Sequence, residues 1–418
     1  MKGFAALITF AVISFFYIGT DGYERYIKRF GHATYDAALV ARTIPDKLEV
    51  AQKKIEEYKA KKAEEEKKAQ IANEVASSSL LSSVSPYPVT HIKTPENVRA
   101  VYMSSWVAGT PSVRDKIIKL IDDTEINAVV IDVKDNTGLV SWNGRINDLD
   151  KLLFELHEKN IYVIARVAAF QDPLYVKKHP EIAVKNKNTG EVWRDHKGIP
   201  WIDTGSKAMW EYLLGISREA YKRGFDEINL DYIRFPTDGE LSLMTFPVSG
   251  IRAKTDKRGI VAEFYKYITD ELRKDGIPSS GDLFGIIMLT KADIPLLGQD
   301  LHDGLTYFDY IAPMIYPSHF YSNTAGFKNP AAHPGEIITY AMNAGIVIAD
   351  EVASSTGQST NTVRAKLRPW YQDFDMGATY TKEMVRAQID AGEKIGINSW
   401  MLWDPANTYT RGALKSAE

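Results

Sequence analysis

The chain of 418 residues sets 51 Lys and Arg against 54 Asp and Glu, a net charge of −3, and is 44% hydrophobic and 25% charged. It is too apolar for a disordered chain and too charged for a polytopic membrane protein, and its near-neutrality argues against nucleic-acid binding through a basic face. The lack of Cys removes disulfides, Cys-ligated zinc, iron–sulfur clusters and cysteine nucleophiles together.

After Lys2 an unbroken apolar run extends from Gly3 to Gly19. A membrane span needs ~17–25 residues, and a secretory signal has a shorter apolar stretch followed by a small-x-small cleavage site. Phe15, Phe16, Tyr17 and Ile18 fill the end of this run and no Ala-x-Ala follows. The segment 1–22 therefore reads as a signal-anchor, with a cleaved signal peptide as the alternative. Arg25, Lys28 and Arg29 come after it, against the positive-inside preference for exporting the rest of the chain. Residues 23–76 read as a charged helical stalk. Within them 46–69 holds eight Lys and seven Asp or Glu among good helix formers, with too few apolar residues for a heptad seam. The stretch 77–95, SSSLLSSVSPYPVTHIKTP, is rich in Ser and Pro and reads as a flexible linker. A folded domain then occupies 96–418.

From there strand-like runs alternate with helical ones. The strands are expected at 98–105, 127–134, 161–170, 226–233, 283–289, 309–316, 366–374 and 398–403. Amphipathic stretches such as 112–124, 148–160 and 206–224 fall between them. Such alternation implies a parallel sheet, and eight strands in this length fit an α/β (β/α)8 TIM barrel. A doubly wound sheet would carry a Gly-rich phosphate turn after an early strand, and none is present. GTPSVRDK (109–116) is better explained as a helix start with Pro111 in its first turn.

Active sites of such barrels lie at the C-terminal ends of the strands, and alternation says which side chains point inward. In the fourth strand Glu227, Asn229 and Asp231 share the inward face, with Asp231 nearest the mouth. In the second, Val130, Asp132 and Lys134 do so; in the third, Arg166 is in phase with Tyr162 and Ile164; in the sixth, Ala312, Met314 and Tyr316 share a face. Gln372 and Trp403 come at the ends of the last two strands. A polar cup of carboxylates, cations and aromatic plates suits glycoside hydrolysis: one acid protonates the leaving oxygen, a second carboxylate attacks the anomeric carbon or activates water, and aromatic faces stack on sugar rings. Asp231 is the first candidate, as nucleophile or general base, with Asp132 or Asp404 as the second carboxylate. Arg166, Arg234 and Lys134 would hold charge or hydroxyls, although Arg234 is outward in phase unless the chain turns there. Tyr316, Gln372 and Trp403 would line sugar subsites. Asp132 is equally read as the ion-pair partner of Lys134 or Arg166, Asp404 as a turn starter, and Asp203 as a helix cap. The eight His form neither HExxH nor H-x-H, and no Ser elbow or Walker loop occurs, so no metal or cofactor is implied.

NAVVIDVKDNTG (127–138), ARVAAFQDP (165–173), GFDEINLDYIRFPTDG (224–239), YIAPMIYPSHF (310–320), RPWYQDF (368–374) and SWMLWDP (399–405) resemble the bacterial family described as "Putative glycosyl hydrolase domain". The resemblance implies a TIM barrel related to carbohydrate-active enzymes, often behind an export signal or anchor. FDEINLDYI (225–233) is also laid out like the strand-four signature of family 18 chitinases. Asp226, Asn229 and Asp231 stand at its three Asp positions, and Ile233 replaces its catalytic Glu, so chitinase chemistry does not carry over.

The expectation is a membrane-anchored glycoside hydrolase with its barrel outside the cytoplasm, or a secreted one if the leader is cleaved. Its substrate would be an extracellular or cell-envelope polysaccharide, and its partners that polymer and the membrane but no nucleic acid. One alternative is a non-catalytic glycan-binding barrel tethered to the membrane. The other is a structural surface protein whose mouth is filled by Trp142, Trp201 or other loop side chains.

Overall fold

The structure, a computed structural model, describes residues 85–417. The expected anchor and stalk, and residues 77–84 of the linker, lie outside them. Eight parallel strands close into a barrel: β1 (Arg99–Met103), β2 (Ala128–Lys134), β3 (Tyr162–Ala168), β4 (Glu227–Asp231), β5 (Ser279–Phe284), β6 (Tyr310–Met314), β7 (Trp370–Gln372) and β8 (Trp400–Trp403). Each neighbours the next in sequence, and β8 returns to β1 through Arg99 opposite Trp400 and Val101 opposite Leu402.

The crossovers carry α1 (Pro111–Asp122), α2 (Leu149–Glu158), α3 (Lys207–Arg223), α4 (Lys257–Lys274), α5 (Leu301–Tyr307), α6 (Pro334–Thr356) and α7 (Lys382–Lys394). Leu149, Leu152, Leu153 and Leu156 form the buried stripe of α2, at the spacing that puts them on one helix face. Pro111 occupies the first turn of α1, where its missing N–H costs no helical hydrogen bond. Ser206 caps α3 by accepting from the amide of Met209. Asp203, read from sequence as the cap, instead accepts from the amides of Val248 and Ser249 and fastens that loop to the β3–α3 connection. Helix α6 is long and apolar enough to cross a membrane by length and composition, but it packs against α7 as a barrel helix.

Strand alternation divides the apolar residues into two cores. Val129, Ile131, Val133, Ile228 and Leu230 face the helices, whereas Val130, Tyr162, Ile164, Ala312 and Trp370 face the barrel axis. The fifth strand departs from expectation. The run 283–289 is strand only at Leu283 and Phe284, because Gly285–Met288 wind into a 3-10 turn. The strand is SSGDLF, and its polar first half escapes a search for apolar runs. Similarly, only Trp370–Gln372 of 366–374 is continuous strand.

The barrel floor, at the N-terminal ends of the strands, is closed by residues 85–95, read from sequence as flexible linker. Ile92 packs on the inner core and donates its amide to Asp226 Oδ1 (2.7 Å). His91 stacks on Tyr221 at 3.9 Å, and the Thr94 and Tyr162 hydroxyls are hydrogen-bonded at 3.0 Å. Above this floor Glu227 Oε2 accepts from Arg368 Nη1 (2.7 Å) and from the Tyr162 hydroxyl (3.0 Å), with both charged side chains 2% exposed or less. Removing one partner strands the other charge in the interior. Arg368→Met is therefore expected to lower unfolding free energy by about 3–5 kcal/mol, and adding Glu227→Gln to recover part of it, measured by denaturant unfolding.

Candidate active site

Carboxylates from three strands converge on one cation at the mouth. Arg166, near the end of β3, donates through Nη1 to Asp132 Oδ1 of β2 (2.6 Å) and through Nη2 to Asp231 Oδ2 of β4. Its Nε lies 3.7 Å from Asp282 Oδ2 of β5. The guanidinium sits 5.0 Å from the Trp403 ring and 5.6 Å from that of Tyr102. These two rings stack on each other at 4.0 Å. The Tyr102 hydroxyl donates to Asp132 Oδ2 at 2.5 Å. All four charged residues are buried, and Trp403 is half-buried.

The acids are held differently. Asp231 accepts from Arg166 and from the amide of Tyr232 (2.5 Å). Asp282 Oδ1 accepts from Asn229 Nδ2 (2.9 Å) and Trp370 Nε1 (2.9 Å). Burial and the neighbouring charge of Asp231 outweigh Arg166 and those donors, and push the Asp282 carboxyl up to about 7. Burial also raises Asp132 above the usual carboxylate range, against the pull of Arg166 and Tyr102. Burial, then Asp282 and Asp231, lift the Tyr316 phenol well above its ordinary value, so Tyr316 is a neutral donor beside the acids.

Three of the expected site residues are used elsewhere. Lys134 is fully buried: its ammonium lies 3.0 Å from Asp172 and donates to the carbonyl of Ala168 (2.6 Å). Gln372 is also fully buried, its amide bridging the Phe374 carbonyl (2.9 Å) and the Ser318 amide (3.2 Å). Asp404 accepts from the amides of Ala406 (3.3 Å) and Thr408 (2.6 Å) and shapes the loop after β8. Each therefore has a structural partner in place of substrate.

Arg234 does turn inward. Tyr232 has φ 55°, a left-handed conformation rare for a bulky residue, and this reverses the phase after Asp231. Along the chitinase-like stretch, Asp226 lies on the floor, accepting from the amides of Ile92 and Val163, and Ile233 is buried in the outer core. Trp142 lies against Arg223 of α3, and Trp201 is fully buried with its indole N–H on Asp195 (3.1 Å).

Sequence reasoning missed Asp282, Tyr102 and Trp370. Extending period-two alternation backward from Phe284 would have reached Asp282 and Ser280, in register with Asn229 across the sheet. Hollows on the outer surface, one lined by Asp115, Glu155 and Lys159 and another by Val176, Lys177 and Arg194, lie away from these acids.

The family model described as "Putative glycosyl hydrolase domain" matches residues 100–409. The chain belongs to this family. A hypothetical protein from Ruminiclostridium thermocellum ATCC 27405 is 36% identical, over 44% of this chain and 96% of that one, with a TM-score of 0.39. The glycoside hydrolase domain of PgaB (BpsB) from Bordetella bronchiseptica superposes with a TM-score of 0.53 at 12% identity, over 77% of this chain and all of that one, a likeness of fold. The spore cortex-lytic enzyme SleL of Bacillus megaterium QM B1551 is 11% identical, over 76% of this chain and 72% of that one, with a TM-score of 0.46. No curated protein matches the sequence.

The Asp282 carboxyl gives a test of the site that needs no substrate. A carboxyl raised to about 7 holds a proton in the native state that an unfolded one, near 3.8, releases. Native stability therefore falls as pH rises from the unfolded value through about 7. Asp282→Asn, a neutral isostere, is expected to flatten that slope and to be the more stable protein at pH 8, read from urea midpoints across pH.

Proposed function

We propose that the protein is a glycoside hydrolase acting on an extracellular or cell-envelope polysaccharide. The observation that carries this reading is the pairing of Asp231 with Asp282 at one charge centre in the barrel mouth. Asp282, raised to about 7, is a proton donor at neutral pH, while Asp231 accepts two hydrogen bonds that suit a carboxylate. In this mechanism Asp282 protonates the glycosidic oxygen as its bond to the anomeric carbon breaks. Asp231 attacks that carbon or takes a proton from the attacking water. Arg166 orients Asp231 against Asp132, and Tyr102 fixes Asp132 in turn. Trp403 and Tyr316 offer a ring face and a hydroxyl to the sugar. Membership of the family and the fold shared with a glycoside hydrolase domain support the same class. The apolar run from Gly3 to Gly19 supports a barrel held at the membrane.

A glycan-binding barrel without turnover is the second reading. It is favoured by Arg166, which ties up both Asp132 and Asp231. Reducing-end release across a glycan panel separates the two. Under the hydrolase reading, Asp231→Asn and Asp282→Asn each lower release by about 10²–10⁴-fold, the usual worth of a positioned acid or base. The wild-type kcat/KM should fall as pH rises through about 7, where Asp282 loses its proton. Retention of a glycan with no release, or equal release by wild type and Asp231→Asn, would establish the binding reading or remove Asp231 from the chemistry.

A further inference from the structure

Arg234 is a buried cation that its surroundings leave half unpaired. The residue is 6% exposed. Its guanidinium carbon lies 4.7 Å from the ring of Phe284, the last residue of β5, 4.9 Å from that of Trp201 and 5.9 Å from that of Tyr232. Nη1 donates to the carbonyl of Phe235 and the hydroxyl of Thr237, both at 3.0 Å. The head is thus fixed between aromatic plates over the ends of β4 and β5, next to the acids.

The opposite edge is different. Among the described residues neither Nε nor Nη2 of Arg234 has a hydrogen-bond partner, and neither atom is sealed in the interior. One carboxylate comes within salt-bridge range: Asp238 Oδ2, at 3.9 Å from Nη2, on a side chain 65% exposed. Burial pulls the guanidinium below its ordinary value, and Asp238 and Asp231 only partly restore it. A cross-link between the 169–206 connection and β4 would need the aromatic contacts alone. It gives no reason to leave the two parallel N–H groups of Nε and Nη2 free. That edge is the fork that accepts a carboxylate through two parallel hydrogen bonds.

We infer that the free edge of Arg234 is a recognition point for a carboxylate on the substrate, so that the polysaccharide contains acidic sugars. The inference rests on the reading of the mouth as a glycan site and narrows it to a chemical class. Asp238, exposed at the rim, is the internal carboxylate that a sugar acid displaces. An Arg already held between aromatic rings loses little freedom on binding.

The test uses the full chain and three polymers, polygalacturonate, alginate and hyaluronan, each beside its carboxyl-reduced counterpart. Retardation in affinity electrophoresis measures binding, and reducing-end assay measures release. The expected result is that at least one acidic polymer retards the wild type more than its reduced form, and that salt weakens the effect. Arg234→Gln should lose about 10–100-fold of that affinity, the worth of hydrogen bonds to a charged group, and so narrow the gap between the acidic and reduced forms. Arg234→Lys keeps the charge without the fork, so it should fall between the two; it also serves if the Gln variant fails to fold, which thermal melting would reveal. Equal retardation by acidic and reduced forms, no retardation by any acidic polymer, or an Arg234→Gln variant that keeps the preference would each overturn the inference. The outcomes also separate it from the hydrolase reading. Acid-selective retention without release keeps Arg234 as the reader and removes hydrolysis, whereas release confined to reduced polymers keeps hydrolysis and removes the role of Arg234.

Discussion

Arg166 is one positive charge placed where Asp132, Asp231 and Asp282 meet, each from a different strand. Three carboxylates gathered in a buried mouth without a cation would repel one another and take up protons, and every one would drift toward neutrality. With the guanidinium among them the result is uneven. Asp132 and Asp231 receive direct hydrogen bonds from it, while Asp282 lies at the longer distance of 3.7 Å and is raised to about 7. Burial raises Asp132 and Asp282 alike, and for Asp282 the charge of Asp231 adds to it, with Arg166 opposing both shifts. The asymmetry is set by geometry, since Nη1 and Nη2 point at β2 and β4, and Nε faces β5 less directly.

The barrel maintains that geometry through neighbours that are themselves fixed. Tyr102 of β1 holds Asp132, Asn229 of β4 and Trp370 of β7 hold Asp282, and the Tyr232 amide holds Asp231. Supporting groups therefore come from around the ring, from strands far apart in sequence. This is how a closed parallel sheet converts ladder register into side-chain position: Asp132 stands opposite Arg166, and Ala168 opposite Asp231. The left-handed Tyr232 is a backbone departure directly beside Asp231. It turns Arg234 over the mouth and lets Ile233 take the outer-core place instead.

Much of this was legible in the chain. Alternating strand and helix patterns predict the closed barrel, and period-two phase places Asp132, Arg166, Asp231 and Tyr316 on the inner face. Phase alone does not say how high a residue stands or which partner claims it. Lys134 shares a face with Asp132 in sequence, yet the register slips between them and the ammonium goes to Asp172. Gln372 ends a strand and Asp404 follows one, as a sugar contact would, but the backbone groups of adjacent loops take up their polar atoms. Asp282 was hidden for a different reason. A strand that begins Ser-Ser-Gly-Asp has too little apolar character to announce itself, and the apolar Ile286–Ile287–Met288 stretch that follows it is a 3-10 turn.

Residues 85–95 give the barrel a polarity beyond that of its strands. Ile92 packs on the inner core at the end opposite the acids, so residues 85–95 occupy the base and the acids stand at the far pole. The acid-bearing end is thereby left clear of this segment.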